Sequence, residues 1–466
     1  QKRANSSIDM ARKNTTSNVH RRLISTARRL LPLLLVAGFF YLQFRSLSLF
    51  SPAVPCDPQL PAAAVDDLLD RLRASVTFLP LQDSRKRGAA SFISALNDSS
   101  EPEGEAKNLV FPSATSSGRV LCVSAPPRSD AATYALAWRD ALPHGAALRP
   151  GLTFVSESSY DYRNLWHGLS ALVPFASWHA RSGCGARPPA RWALFLHGAV
   201  RTGVSGWLAS LAEAATGAEM EVETFSDAPG PVCFEQAVVF RRQMEGLSRE
   251  RLRAAYDFMR CKARAHCGVA DVSMKAGSDG AGDAPSPRVT ILFRRGARAF
   301  KDEAAVARVF EKECARVAGC AVTAVHSDNL TFCDQVRLLS ATDVLISPHG
   351  AQMTNLLFME PNSSVMEFYP LGWRQRAGGG QFVYRWMADR AGMRHEGSWW
   401  DPDGEPCPHS SDILSCYKDR QIGIDEAYFT QWAGRVFAAA KERKTDGRVG
   451  APAEERQREA AACGCI

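Results

Sequence analysis

The stretch from Asp343 to Pro370 reads DVLISPHGAQMTNLLFMEPNSSVMEFYP, and its pattern decides the fold. It begins with a short apolar run, turns at Pro-His-Gly, continues through a second apolar run and ends in a strand-like segment at 364–368. Strand–helix–strand units of this length need crossover connections, which produce a parallel sheet. The stretch therefore predicts an α/β fold.

The sequence on either side continues the same alternation of apolar runs and helical spacing. The predicted strands are 118–124, 191–198, 219–225, 233–240, 288–293, 321–325, 344–347 and 364–368. The predicted helices are 65–74, 131–141, 160–176, 207–215, 248–265, 303–317, 332–340 and 424–440. The alternation favours two α/β domains in one chain of 466 residues.

The N-terminal part predicts a membrane anchor. A basic block precedes the apolar run LLPLLLVAGFFYLQF at Leu30–Phe44, which RSLSLF extends to Phe50. About 20 residues are enough to span a bilayer, and the preceding Lys and Arg place that side in the cytosol. A cleaved signal peptide, which would make the protein a soluble secreted one, is the alternative. Much of the net charge of +7 lies in this block, so it does not indicate nucleic-acid binding.

The domain plan follows from shifts in composition along the chain. It comprises a cytosolic tail (1–29), a transmembrane signal-anchor (30–50), a stem (51–117), a first Rossmann-like domain (118–270), a linker (271–287), a second Rossmann-like domain (288–442) and a disordered tail (443–466).

Cysteines and glycosylation sequons agree with a lumenal location. The chain has 13 cysteines, and none of the close pairs is part of a zinc-binding pattern. An oxidising compartment would pair some of them as disulfides, although the spacing does not reveal which. Asn97, Asn329 and Asn362 each begin an Asn-x-Ser/Thr sequon.

The Pro-His-Gly turn predicts a binding site at the carboxyl edge of the second sheet. The first backbone amides of a helix have no hydrogen-bond acceptor within the helix and are free to bind a ligand. Gly350 lets the backbone approach that ligand closely. We expect the backbone of Gly350, Ala351 and Gln352 to bind phosphate, with His349 beside it. Glu367 ends the next strand on the same edge and is placed to bind ribose hydroxyls. The alternative is an ordinary turn with a buried histidine.

A second loop at the same edge is basic. In LFRRGARAFKDE, residues 292–303, a strand is followed by a glycine-containing loop that carries Arg294, Arg295 and Arg298. Arginine suits bidentate recognition of phosphate, so this loop beside the Pro-His-Gly turn favours a diphosphate site. A solvated basic loop is the alternative.

The segment YRNLWHG offers polar residues from the first domain. Asn164 and His167 are three positions apart, so they share one face of a helix. A cleft between two domains needs such a polar face, whereas a histidine that simply caps an amphipathic helix is the alternative.

These motifs together resemble glycosyltransferase family 61. The resemblance is strongest at 288–370, in PHGAQMTNLLFMEP and VMEFYP, with RRGAR and YRNLWHG as further elements. It implies a GT-B architecture, in which two Rossmann-like domains enclose a cleft and the second binds the nucleotide sugar. It also implies inverting transfer from a UDP-sugar carrying xylose, arabinose or N-acetylglucosamine, without cofactor and without obligatory manganese.

The resemblance also assigns roles to residues. For the catalytic group it implies Asn164 and His167, with Asp161 as an alternative acid, because the family's acid four positions after the histidine is Ala171 here. Asp302 likewise replaces a family asparagine. The donor-binding residues that it implies are Arg294, Arg298, Ser347, His349, Gly350, Ala351, Asn355 and Glu367.

The sequence thus predicts a single-pass type II glycosyltransferase of the Golgi or ER membrane, acting on a glycan or glycoprotein hydroxyl in the lumen. A catalytically inactive lumenal binding protein on the same fold is the alternative, which Ala171 favours. Asp401 and Asp403 form an Asp-x-Asp pair, but their position in a proline-containing turn disfavours a metal site. Trp399 and Trp400 are expected in an aromatic core rather than against a sugar.

Overall fold

The structure, a computed structural model, describes the chain in ranges separated by gaps. They are residues 62–81, 92–93, 108–125, 132–158, 160–184, 188–240, 246–269, 286–404, 407, 413–450 and 463. Residues from Leu69 onward form one compact unit, and the preceding unit is described only from Ala62. The predicted anchor, most of the stem, nearly all of the linker and Asn97 lie outside these ranges. Among the described residues, no helix combines the length and apolarity that a membrane crossing requires.

Nine strands of the first half form a mixed sheet. They are β1 (Leu79–Pro80), β2 (Asn108–Phe111), β3 (Val120–Ser124), β4 (Thr133–Ala137), β5 (Ala147–Ser158), β6 (Pro189–Leu196), β7 (Ala199–Arg201), β8 (Glu221–Val222) and β9 (Val232–Phe240). The order is β1-β4-β3-β9-β5-β6-β7, with β2 paired to β9 and β8 to β6. β5 is parallel to β6 and β9, whereas β3 is antiparallel to β4 and β9. A Rossmann-like sheet is mostly parallel, so this sheet departs from the expectation for 118–270.

Five strands of the second half form a parallel sheet; the sequence predicted such a sheet and four of its strands, but not the last one. They are β10 (Arg288–Phe293), β11 (Ala321–His326), β12 (Val344–Pro348), β13 (Ser364–Tyr369) and β14 (Arg394–Trp400), in the order β11-β10-β12-β13-β14. β10, β12 and β13 are almost wholly buried, which explains their continuous apolar sequences. Because all five run the same way, the loops after β10 and β12 lie at one edge of the sheet.

The described part of the chain contains ten α-helices. They are α1 (Ala62–Ala74), α2 (Leu165–Arg181), α3 (Gly206–Thr216), α4 (Arg249–His266), α5 (Glu303–Cys314), α6 (Phe332–Ser340), α7 (Trp373–Arg376), α8 (Val383–Arg390), α9 (Ile413–Lys418) and α10 (Glu426–Gly450). The apolar run after the Pro-His-Gly turn is helical but of the tighter 3₁₀ type, at Ala351–Phe358. The final helix extends to Gly450 and so enters the segment that was expected to be disordered.

In the first half, one predicted helix was wrong and one strand was missed. Residues 131–141, rich in alanine, were expected to form a helix, but β4 lies there because it pairs with β3. Helix propensity is a weak preference, and sheet pairing outweighs it here. β5 was missed because Pro150 and Gly151 interrupt it, and the pairing register shifts at that point.

One hydrophobic core joins the helices of the first half to those of the second. Buried side chains of α2, α3 and α4 pack with those of α6, α8 and the 3₁₀ helix. Polar contacts cross the same boundary, since Trp207 Nε1 donates to Asn355 Oδ1 over 2.9 Å and Arg264 Nη2 donates to the Phe358 carbonyl over 2.8 Å. The N-terminus of α2 is thereby placed close to the loop after β12.

Disulfides are present throughout the described part of the chain, as an oxidising compartment would produce. The pairs are Cys122–Cys233, Cys261–Cys463, Cys267–Cys333, Cys314–Cys320 and Cys407–Cys416. The Cys267–Cys333 bond ties the residue after α4 to α6, and thus the first half to the second. Both described sequon asparagines, Asn329 and Asn362, are exposed.

Candidate functional site

A cavity of about 790 Å³ opens between the N-terminus of α2 and the loop after β12. Its walls come from both halves of the chain. The lining residues are Tyr160, Asn164, Trp166, His167, Ser170, Arg298, His349, Gly350, Ala351, Trp373, Ala377, Gly379, Gly380, Val383, Tyr384, Trp386, Arg390 and Lys418. This set includes three cationic side chains and two histidines but no carboxylate. The cavity therefore suits an anionic ligand.

Gly350 and Arg294 fit closely together behind this wall. Arg294 Nη1 donates to the carbonyl of His349 over 3.0 Å, so its guanidinium lies against the turn. A Cβ atom at position 350 would overlap that guanidinium and would lie 2.4 Å from Gln352 Oε1. Position 350 therefore requires glycine because a side chain would overlap those of Arg294 and Gln352. Arg294 itself positions the turn and is absent from the cavity lining.

Arg298 is the arginine that lines the cavity. Its backbone has φ +62°, a costly conformation for a residue with a side chain, and its amide donates to the Arg420 carbonyl over 2.8 Å. The guanidinium carbon lies 4.9 Å from the centroid of the Trp373 ring. Its Nε atom is buried and has no hydrogen-bond partner in the described part of the chain. The loop thus holds one guanidinium ready for a ligand.

The two guanidiniums carry positive charge that the described carboxylates leave largely uncompensated. Arg295 between them forms an ion pair with Asp328, and neither Arg294 nor Arg298 has such a pair within the described ranges. Burial and the charge of Arg298 lower the pKa of Arg294 to about 10. Burial also lowers the pKa of Arg298, although Asp419 nearby partly opposes the shift. Both groups remain protonated at neutral pH and favour an anion.

Glu367 has a different role from the predicted one. It is 0% exposed, and its carboxylate accepts hydrogen bonds from His349 Nδ1 at 2.7 Å and His395 Nε2 at 2.8 Å. Although burial raises the pKa of Glu367, the hydrogen bonds from the two imidazoles lower it to about 2. Each carboxylate oxygen is engaged by an imidazole and Glu367 does not line the cavity, so this geometry gives no support to the predicted contact with ribose. Glu367 instead orients His349, whose Nε2 has no partner among the described residues.

Ser347 and Asn355 are also structural. Ser347 Oγ donates to the Leu292 carbonyl over 2.8 Å and thereby links β12 to β10. The Asn355 side chain is fully buried, accepts from Trp207 and donates to the Gln352 carbonyl over 3.0 Å. Neither residue lines the cavity, because the contacts that use their polar atoms lie in the core. Their sequence spacing alone could not distinguish this role from donor binding.

The α2 residues reach the cavity as predicted. Asn164 caps the helix by accepting from the Trp166 amide over 3.1 Å, and His167 lies one turn further on. Burial lowers the pKa of His167, and the charge of Asp161 only partly offsets this. A neutral imidazole at neutral pH is able to accept a proton. Asp161 itself is exposed, accepts from the Arg163 amide and does not line the cavity.

Positions that depart from the expected motifs have plain structural roles. Ala171 is buried in α2. Asp302 caps α5 by accepting from the Ala305 amide over 2.8 Å. Asp401 accepts from the amide of Asp403 in its own turn and from the amide of Gly423, 22 residues later, so both carboxylate oxygens have backbone donors. Within the described ranges, no group of three or more His, Cys, Asp or Glu side chains is arranged to hold a metal ion.

The aromatic part of the cavity was not predicted. Trp373, Tyr384 and Trp386 come from the segment around α7 and α8, which carried no motif and for which no elements were expected. The prediction that Trp399 belongs to the core is confirmed, since it packs edge-on against Phe429. The signal available in the sequence was the cluster of Phe382, Tyr384 and Trp386, which lies between Gly378–Gly380 and Gly392.

Comparison with known proteins supports the resemblance. Residues 150–366 match the model of the family described as Glycosyltransferase 61. A curated relative, described as a xylan glycosyltransferase of Arabidopsis thaliana, is 28% identical over 90 residues. This alignment covers 19% of the chain and 17% of the relative. The family match spans the cavity residues Tyr160 to Ala351 but ends before α8.

Proposed function

We propose that this chain, whose residues 150–366 match glycosyltransferase family 61, transfers a sugar from a nucleoside diphosphate donor to a carbohydrate or protein hydroxyl. The observation that carries the proposal is the cavity itself. The guanidinium of Arg298, the amides at the start of the 3₁₀ helix and the imidazole of His167, which is neutral at pH 7, all face one space of about 790 Å³. That volume lies within the range of ordinary ligand pockets.

The cationic end of the cavity would hold the diphosphate. Arg298 contributes a fixed guanidinium, and the amides of Gly350 and Ala351 have no acceptor within their own helix turn. Lys418 adds a further charge to the same cavity. Transfer breaks the bond between the sugar and the diphosphate, so positive charge and amide donors at this position stabilise the leaving group. We propose that these groups make a metal ion unnecessary.

His167 would act as the general base. In inverting transfer, the acceptor oxygen attacks the anomeric carbon while its proton passes to a base and the nucleoside diphosphate departs. No carboxylate lines the cavity within the described ranges, and burial keeps His167 neutral near pH 7. These two facts favour His167 over Asp161 for this role.

The finer assignment extends the same proposal. The donor is a UDP-sugar carrying xylose, arabinose or N-acetylglucosamine, bound in a GT-B arrangement. The relative described as a xylan glycosyltransferase makes xylose chains the first acceptors to test. The disulfides among the described residues support action in the lumen of the Golgi or ER, with segment 30–50 as a type II anchor.

The test is a transfer assay on the purified full-length chain. UDP-xylose, UDP-arabinose and UDP-N-acetylglucosamine are each offered with xylohexaose, an oligomannose glycan or an unglycosylated Ser/Thr peptide, with and without chelator. Release of UDP together with a sugar-extended acceptor, unaffected by chelator, is the expected result. UDP binding without turnover of any donor would instead favour the inactive binding protein.

Replacement of Glu367 by glutamine tests the corrected role of this residue. We expect UDP affinity to fall about tenfold, since His349 loses its charged partner, while uridine affinity stays unchanged. A Glu367 that held ribose would weaken uridine and UDP equally. Calorimetric titration with both ligands distinguishes these outcomes.

The same variant has a pH-dependent effect on stability. The folded pKa of Glu367, about 2, lies below its ordinary 4.5, so its stabilisation is complete above about pH 4.5 and is lost as the pH falls toward 2. We expect Glu367→Gln to lower the free energy of unfolding by about 1–3 kcal/mol at pH 7 and by less in acid. Denaturant unfolding at several pH values measures this difference. An equal difference at pH 7 and pH 3 would contradict it.

A further inference from the structure

Helix α8 presents a stripe of side chains to the cavity. Val383, Trp386 and Arg390 line it, as does the more deeply buried Tyr384, whereas Met387 and Ala388 are buried in the core. Spacings of three and four residues place the lining side chains on one helix face. This face lies outside the matched family region and carries none of the groups assigned to the donor or to the base.

Trp386 is 44% exposed and has an aromatic and a cationic neighbour. Its ring centroid lies 5.7 Å from that of Phe382, and the Arg390 guanidinium carbon lies 6.0 Å from it. A Cβ atom at Gly379 would lie 3.9 Å from the tip of the indole, so the chain at Gly379 passes near this end of the ring. A large aromatic ring that lines a cavity and is still open to solvent offers a contact surface for a ligand.

A second exposed ring lies directly at the proposed base. Tyr160 is 61% exposed, and it stacks on His167 with ring centroids 4.3 Å apart and planes 17° apart. Asn164 lines the same cavity and uses its side-chain oxygen for the helix cap, which leaves its amide nitrogen as a donor. This part of the cavity therefore combines aromatic faces with hydrogen-bond donors.

We infer that Trp386 and Tyr160 form the acceptor subsite and that its occupant is a carbohydrate ring, so that the acceptor is a glycan. One side of a pyranose presents C–H groups that pack against an aromatic face, while its hydroxyls accept hydrogen bonds at the rim. Trp386 supplies the face, and Asn164 and Arg390 supply donors. An unglycosylated peptide lacks the flat C–H surface that would pack on the aromatic ring while hydroxyls beside it accept from the donors. The inference rests on the proposed function, because the acceptor hydroxyl must reach His167.

The test compares three variants of the full-length chain with the wild type. Trp386→Ala removes the ring, Trp386→Phe retains an aromatic face, and Trp138→Ala removes a tryptophan that is similarly exposed, at 42%, outside the cavity. UDP affinity, UDP release without acceptor, and the KM for xylohexaose and the oligomannose glycan are measured for each. We expect Trp386→Ala to raise the glycan KM at least tenfold and leave UDP affinity within twofold. Trp386→Phe should recover most of the loss.

Each other outcome is decisive. A glycan KM for Trp386→Ala equal to that for Trp138→Ala would overturn the subsite, as would transfer to the unglycosylated peptide alone. UDP binding by the wild type without binding or use of either glycan would overturn the subsite and leave the nucleotide site intact. A wild-type chain that binds no UDP would overturn the proposed function and the subsite with it.

Discussion

Replacing His167 with alanine is expected to lower the rate of sugar transfer by about 100- to 10,000-fold, the usual contribution of a general base. UDP affinity should remain that of the wild type, because His167 lies on α2 and the proposed diphosphate contacts lie after β10 and β12. Steady-state kinetics and calorimetric titration of UDP measure the two quantities separately. Imidazole added to the variant should restore part of the rate, which a purely structural role would not allow.

His144→Ala is the matched control, since this histidine is exposed and does not line the cavity. In the wild type, kcat/KM should fall on the acid side with a midpoint below 6.5, because burial lowers the pKa of His167 and the protonated ring cannot accept a proton. Undiminished transfer by His167→Ala would show that the general base is not His167 on α2. His349, with its unpartnered Nε2, would then be the group to test.

Replacing Arg298 with alanine should weaken UDP binding by about 10- to 150-fold, which corresponds to one lost charge-assisted interaction of about 1.5–3 kcal/mol. Uridine, which has no phosphate, should bind the variant as it binds the wild type. Arg298→Lys should recover little, because an ammonium lacks the planar guanidinium that the loop holds over Trp373. Calorimetric titration with UDP and uridine measures these affinities.

Arg295→Ala is the control within the same loop. Arg295 is exposed and paired with Asp328, so its loss should change UDP affinity by less than about twofold. Equal losses in Arg295→Ala and Arg298→Ala would mean that only the general positive potential of the loop matters. No loss in either would place the diphosphate elsewhere.

The second sheet could be predicted because its three central strands are buried on both faces. β10, β12 and β13 appear in the sequence as continuous apolar runs, and short polar loops separate them from their helices. β4 and β5 could not be predicted in the same way. β4 is alanine-rich and is a strand because it pairs with β3. In β5, Pro150 and Gly151 interrupt the apolar pattern by which a strand is recognised.

The candidate site was predictable where a loop leaves a strand. Arg298, His349 and Gly350 follow β10 and β12, and the parallel topology brings those loops together. The roles of Glu367 and Asn355 were not predictable, because burial and partners distant in sequence determine them. His395, 28 residues after Glu367, shows this directly, since nothing local to either residue indicates their contact.

The most direct measurement is UDP affinity and donor turnover in parallel for the wild type, His167→Ala and Arg298→Ala. The central claim is that one cavity holds the nucleotide at Arg298 and activates the acceptor at His167. It predicts that His167→Ala binds UDP normally without transfer, whereas Arg298→Ala loses UDP affinity. Normal transfer by His167→Ala together with normal UDP affinity of Arg298→Ala would contradict the claim and place the chemistry outside this cavity.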